Sequence, residues 1–159
     1  RNIALTILLM CSKEQQSKIR QKFWTTFGQY MKPVPGSNGE AVNWMNYKTG
    51  VRNIFFRMDA GSSTATVSIE IRHNSPVTAM QYYQQFVTLK NILEKSTAFE
   101  WQWQAETTDE NGQRISRISQ VLDKVNVLNE ADWPAIIAFL KPRITALDAF
   151  WQMVKDGFE

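Results

Sequence analysis

The last part of the chain carries the pattern that most narrows the choice of fold. From about Asp132 onward, Ile137, Leu140, Ile144, Leu147, Trp151, Val154 and Phe158 recur at alternating steps of three and four residues, the spacing of one apolar helix face. The phase passes through Pro142 without slipping, so the pattern predicts one long helix with a kink rather than two helices. Such a stripe must be covered. Packing across a sheet of the same chain is the favoured expectation. The other is a homodimer built on the stripe, which a ~3.5-residue repeat also allows.

The middle of the chain offers the sheet. NWMNYKT, NIFFRMD and TATVSIEIR are short β-prone runs separated by a Thr-Gly pair and then by AGSS, which predicts a three-strand antiparallel meander. EWQWQAE alternates strictly, and Asn111-Gly112 before RISRISQVL signals a β-hairpin with a type I′ turn. Ahead of the meander, Ser12 and Gln15 have capping-box spacing, and Ile19, Phe23, Phe27 and Tyr30 share a face, predicting a helix over about 12–31. The prolines and glycines of KPVPGSNGE then end it in an exposed, mobile loop. Ser75-Pro76 opens another helix, which Met80, Tyr83, Phe86 and Leu93 carry to about Glu94. The order is helix, three strands, helix, two strands and a long C-terminal helix, an α+β fold.

At 159 residues one domain is expected, a single α+β domain over 12–159. Residues 1–11 read as an N-terminal extension whose Ile3, Thr6 and Ile7 suit a strand added to a sheet edge. That stretch is too short to span a bilayer, and large residues precede Cys11 where a lipoprotein signal wants small ones, so no membrane partner is expected. One cysteine and one histidine, Cys11 and His73, leave neither an internal disulfide nor a Cys/His zinc site, in keeping with a reducing cytoplasm. Phosphate-loop, dinucleotide-binding and zinc-protease motifs are missing too, and no cofactor is expected. The six tryptophans need a core or a stacking surface. Trp101 and Trp103, two apart on one strand, are expected beneath a helix.

Within RMDAGSSTATVSIEIRH, an acid, a turn and a strand ending in Glu-x-Arg follow one another. The order of elements, with Asp59, Glu70 and Arg72 at these places, resembles the core of the restriction-endonuclease-like fold. That resemblance implies a divalent metal held by Asp59 and Glu70, with a lysine where Arg72 stands. Register decides the matter. With AGSS as the turn, paired residue numbers sum to about 123, which sets Met58 beside Ala65, Phe56 beside Val67 and Ile54 beside Ile69 on one apolar face. Glu70 then lies across from Asn53, and Asp59 about six positions away, on the order of 20 Å. Carboxylates sharing a metal must converge on it at ~2–2.6 Å, and an arginine stays protonated where a lysine can shuttle a proton. An active nuclease would need a second acid elsewhere, so a non-catalytic chain is the expectation.

The runs RQKFWTTFGQYMKPVP, NWMNYKTGVRNIFFRMD, YYQQFVTLKNILE and DWPAIIAFLKPRITALDAFWQ resemble a family of small bacterial proteins common in Bacteroidetes, a domain of unknown function sometimes appended to nuclease domains. The resemblance implies nucleic-acid or defence biology. A net charge of +3 permits a polyanionic partner without demanding one. Arg57, Arg72, Arg52 and Lys48 are the candidate nucleic-acid contacts, with Phe55 as a stacking ring. A structural, self-associating protein is the remaining alternative.

Overall fold

Helix α1 (Lys13–Met31) starts where its capping signals place it. The Ser12 hydroxyl accepts the Gln15 amide at 3.1 Å, and the Gln15 side chain accepts the Ser12 amide, satisfying two N–H groups that a helix start leaves unpaired. Its apolar face buries Phe23, Phe27 and Met31. The computed structural model describes residues 12–158, so the expected edge strand in 1–11 lies outside the described residues.

Beyond α1 the described elements are β1 (Ile54–Ala60), β2 (Thr64–Ile71), α2 (Pro76–Thr88), α3 (Lys90–Thr97), β3 (Gln102–Thr108), β4 (Arg114–Asp123) and α4 (Trp133–Val154). The strands form one antiparallel sheet in the order β1-β2-β4-β3. The α+β class and the long C-terminal helix are as expected. The meander is shorter by a strand, because NWMNYKT makes a 3-10 turn, Trp44–Asn46, capped by the Asn43 side chain. Its aromatic rings prefer the core to a ladder: Trp44 is buried, and Tyr47 stacks on Phe56 at 5.1 Å. The element order that carried the likeness to the nuclease core is therefore met with two strands before α2, where three were expected.

The second expected helix is broken at Leu89, whose ψ of 6° leaves the helical range, and α3 ends on Ala98 in the left-handed region. At the β3–β4 turn Gly112 has positive φ and Asn111 does not. The turn is therefore a three-residue connection closed by Asp109 N–H to Gln113 C=O at 2.9 Å, rather than type I′.

α4 lies across β2 and β1 as one helix with Pro142 inside it. Ile144, Leu147 and Trp151 are fully buried against the inward strand residues Ile54, Phe56, Val67 and Ile69, and each such side chain contributes about 1.5–3 kcal/mol. The stripe is thus consumed inside the chain, and the homodimer built on it loses its surface. Three buried tryptophans find partners for their ring N–H groups, Trp151 donating to the Thr49 carbonyl at 2.7 Å, Trp133 to Val127 at 2.6 Å and Trp44 to Val34 at 2.9 Å, whereas the buried Nε1 of Trp103 has none among the described residues. Trp101 is buried as expected, while Trp103 is half-buried under Lys90 and Tyr83.

The loop expected to be mobile is pinned. The carboxylate of Asp148, buried on α4, accepts the Ser37 amide at 2.8 Å and the Tyr47 hydroxyl. Burial and this carboxylate push the Tyr47 hydroxyl well above its usual ionisation range.

Candidate functional site on the open face of the sheet

With the described helices packed on one side of the sheet, the other face has no described element over it. β2 runs through its middle, and period-2 alternation sends Thr66, Ser68 and Glu70 to this side while Val67, Ile69 and Ile71 go to the core. Register sets Glu70 between Phe55 on β1 and Arg117 on β4, and Ser68 between Arg57 and Ser119. Gln102 and Gln104 on β3 extend the row.

Glu70 sits on an uncovered face and is only 5% exposed. Its own neighbours bury it. Arg72 reaches back along β2 to bond Glu70 Oε1 through Nε at 3.0 Å and Nη2 at 2.7 Å. Arg117 Nε lies 3.4 Å from Oε2, and Arg57 Nε 3.9 Å from Oε1. The Ser68 hydroxyl adds a 3.4 Å bond. Arg72 also spans to Asp109 at the end of β3, with Nη1 2.6 Å from Oδ2. The other Asp109 oxygen accepts the amides of Asn111 and Gln113 at 2.9 and 2.8 Å, which fixes the turn.

These contacts set the charge states. The Arg72 bond, followed by the Gln113 amide, holds the Asp109 carboxyl below its ordinary range. Burial works against the Arg72 cation, but its bonds to Asp109 and Glu70 outweigh burial and hold the guanidinium more firmly protonated than usual. A group so held cannot take a proton from water.

The expected register is off by two residues. Pairs sum to 125, from Ile54 with Ile71 to Ala60 with Ala65, because the turn is tighter than AGSS and centres on Ser62 and Ser63. The face assignment survives, since a two-residue slip preserves the pleat. Glu70 faces Phe55 rather than Asn53, and Asp59 lies four positions further along, about 13 Å at ~3.3 Å per residue. The exposed Asp59 instead accepts the Ala60 amide at 2.8 Å. The two acids of the nuclease outline do not meet. Among the described residues no cluster of three or more His, Cys, Asp or Glu could hold a metal ion.

A groove of about 300 Å³ remains beside the network, bordered by Arg57, Ser68, Arg117, Ser119, Gln102 and Gln104, with Asp59 and Glu110 at its margins. Of the candidate contacts, Arg57 borders it and Arg72 is committed to its carboxylates. Lys48 and Arg52 are exposed in the stretch before β1 and do not line it. Sequence reasoning missed Asp109 and Arg117 as members. Asp109 had a local signal, an acid three residues before a turn glycine, whereas the place of Arg117 depends on the pairing of β2 with β4 across 47 residues.

One family model matches the chain, over residues 19–155: Domain of unknown function (DUF4268). The chain belongs to this family. The match takes in every described strand and thus the open face, while the family description assigns no chemistry to it. No curated protein and no solved structure matches. No described helix is long and apolar enough to cross a membrane.

Proposed function

We propose that the chain is a non-catalytic recognition domain whose open sheet face binds single-stranded nucleic acid. One observation carries this reading: the acid that metal chemistry would need is enclosed by guanidinium groups, while two of those guanidiniums still have binding capacity. Arg57 and Arg117 approach Glu70 through Nε, at 3.9 and 3.4 Å, which leaves their Nη groups for phosphate oxygens. Phe55, 43% exposed and next to Arg57 on the same face, offers a ring for a base to stack on. Ser119, Gln102 and Gln104 add uncharged donors and acceptors along the groove. The resemblance to bacterial domains appended to nucleases supports a polynucleotide ligand, and a single cysteine suits a reducing, cytoplasmic setting.

The test is fluorescence anisotropy with labelled single-stranded DNA and RNA oligonucleotides at low and at physiological salt. The expected result is binding that weakens steeply with salt, is lost in the double variant R57A/R117A and falls on F55A. Absence of binding at low salt in the folded protein refutes the reading.

A second reading rests on the charge balance. Asp59 and Glu110 at the groove margins offset the arginines, and a face with balanced charge and an exposed aromatic also suits a protein surface. Failure with oligonucleotides would favour it.

A further inference from the structure

Among the described residues, the β1 edge of the sheet is closed at both ends and open in its centre. In the β1–β2 ladder, Arg72 N–H bonds to Asn53 C=O and Gly61 N–H to Thr64 C=O, each at 2.8 Å, which sets the alternation of the strand between them. Phe55, Arg57 and Asp59 bond to β2, and the even-numbered residues turn their backbone groups outward. Ile54 is already engaged, donating to Val51 C=O at 3.3 Å and accepting the Thr49 hydroxyl at 2.8 Å. Ala60 N–H is held by the Asp59 carboxylate at 2.8 Å. Between them, the N–H and C=O groups of Phe56 and Met58 have no hydrogen-bond partner among the described residues. They border a groove of about 460 Å³ walled by Trp24, Trp44, Met45 and Tyr47.

We propose that this edge receives an extended segment of a partner protein as a fifth strand, with an acidic residue opposite Arg57 and an apolar residue on each side of it. Unpaired strand groups are a template for another strand, and their alternation dictates its side chains. Residues of the incoming strand opposite Phe56 and Met58 make the backbone bonds and share the core-side face, toward the aromatic groove. The residue between them lies on the open face against Arg57, whose side chain is 48% exposed and whose nearest carboxylate contact is the 3.9 Å approach to Glu70. A carboxylate there completes the pairing. The same geometry selects against a second copy of this chain. Two β1 edges bonding Phe56 to the other copy's Met58 would set Arg57 against its own image at about 4.5 Å, a like-charge contact.

The inference uses the edge and does not depend on the nucleic-acid reading of the face. Its test uses the full chain, amide NMR and two capped peptides, TVLELVT and TVLKLVT. In the free protein, the Phe56 and Met58 amides should exchange with solvent much faster than those of Phe55 and Arg57. TVLELVT should shift and protect them, and TVLKLVT should bind about tenfold more weakly. Met58→Pro removes an outward N–H that the ladder does not use, a place where edge strands tolerate proline, and should abolish binding. If that variant fails to fold, Met45→Glu in the groove wall serves, with weakened binding expected. Equal protection of the four amides, no shifts at millimolar TVLELVT, or equal affinity for the two peptides would overturn the proposal.

Discussion

Glu70 and Asp109 are both acids in contact with Arg72, and they hold different things. Asp109 ties the β3–β4 turn to Arg72 through bonds that need its charged form. Its carboxyl is held below the unfolded value near 3.8, so its stabilising effect is full above that pH and is lost as pH falls through the lower, folded value. The melting-temperature gap between wild type and D109N should accordingly be widest above about pH 4 and narrow steadily in stronger acid. Glu70 holds guanidiniums on either side of β2. Replacing it by glutamine leaves Arg72 and Arg117 short of a charged acceptor and should cost about 2 kcal/mol in urea denaturation, less than a fully buried pair because the arginines are partly solvated. An unchanged midpoint would mean that the network is ornamental to stability. Glu70 was legible as an acid on the polar face of a strand, two residues from Arg72; the approach of Arg57 and Arg117 was not, because those arginines lie on the neighbouring strands β1 and β4.

Elements were legible where the signal is local. Capping at Ser12 and Ser75 and the stripe of α4 depend on residues within a turn or two, and the structure follows them. The failures share a cause: tertiary packing competed with local preference. NWMNYKT has strand propensity, but Trp44 and Tyr47 lower their free energy further by entering the core beside Phe56 and Trp151. KPVPGSNGE has the composition of a mobile loop, but Asp148 binds its backbone. Gly36 in that loop has no room for a methyl group: a Cβ would lie 2.8 Å from Val42 Cγ2 and 3.2 Å from Asp148 Oδ2. Gly36→Ala should therefore destabilise by about 1–3 kcal/mol in thermal or urea denaturation. In α4, Pro142 lacks the N–H that an interior helical position donates. Pro142→Ala should stabilise by roughly 1–2 kcal/mol, net of the chain entropy that proline removes from the unfolded state. A loss instead would show that the proline is needed for α4 to follow the sheet.

At the scale of the molecule, one apolar cluster joins α1, α4 and the inward face of the sheet, and it reaches Phe158, which packs on Phe86 at 4.6 Å and Trp151 at 5.0 Å. The C-terminal stripe that could have built a dimer is enclosed within that cluster. Light scattering at micromolar concentration should accordingly give the 18.4 kDa monomer. A dimer would place self-association on another surface, the open face first. What the amino-acid sequence determined by itself was the first and last helices, the two faces of β1 and β2 and the insufficiency of Asp59 and Glu70 as a metal pair, all consequences of short-range periodicity and chain geometry. Only the tertiary structure decided that Glu70 is enclosed rather than free, that Asp109 and Arg117 join it, and that among the described residues nothing pairs with the β1 edge at Phe56 and Met58. Those depend on which strand lies beside which, and strand order is set by the whole core at once rather than by any stretch of residues.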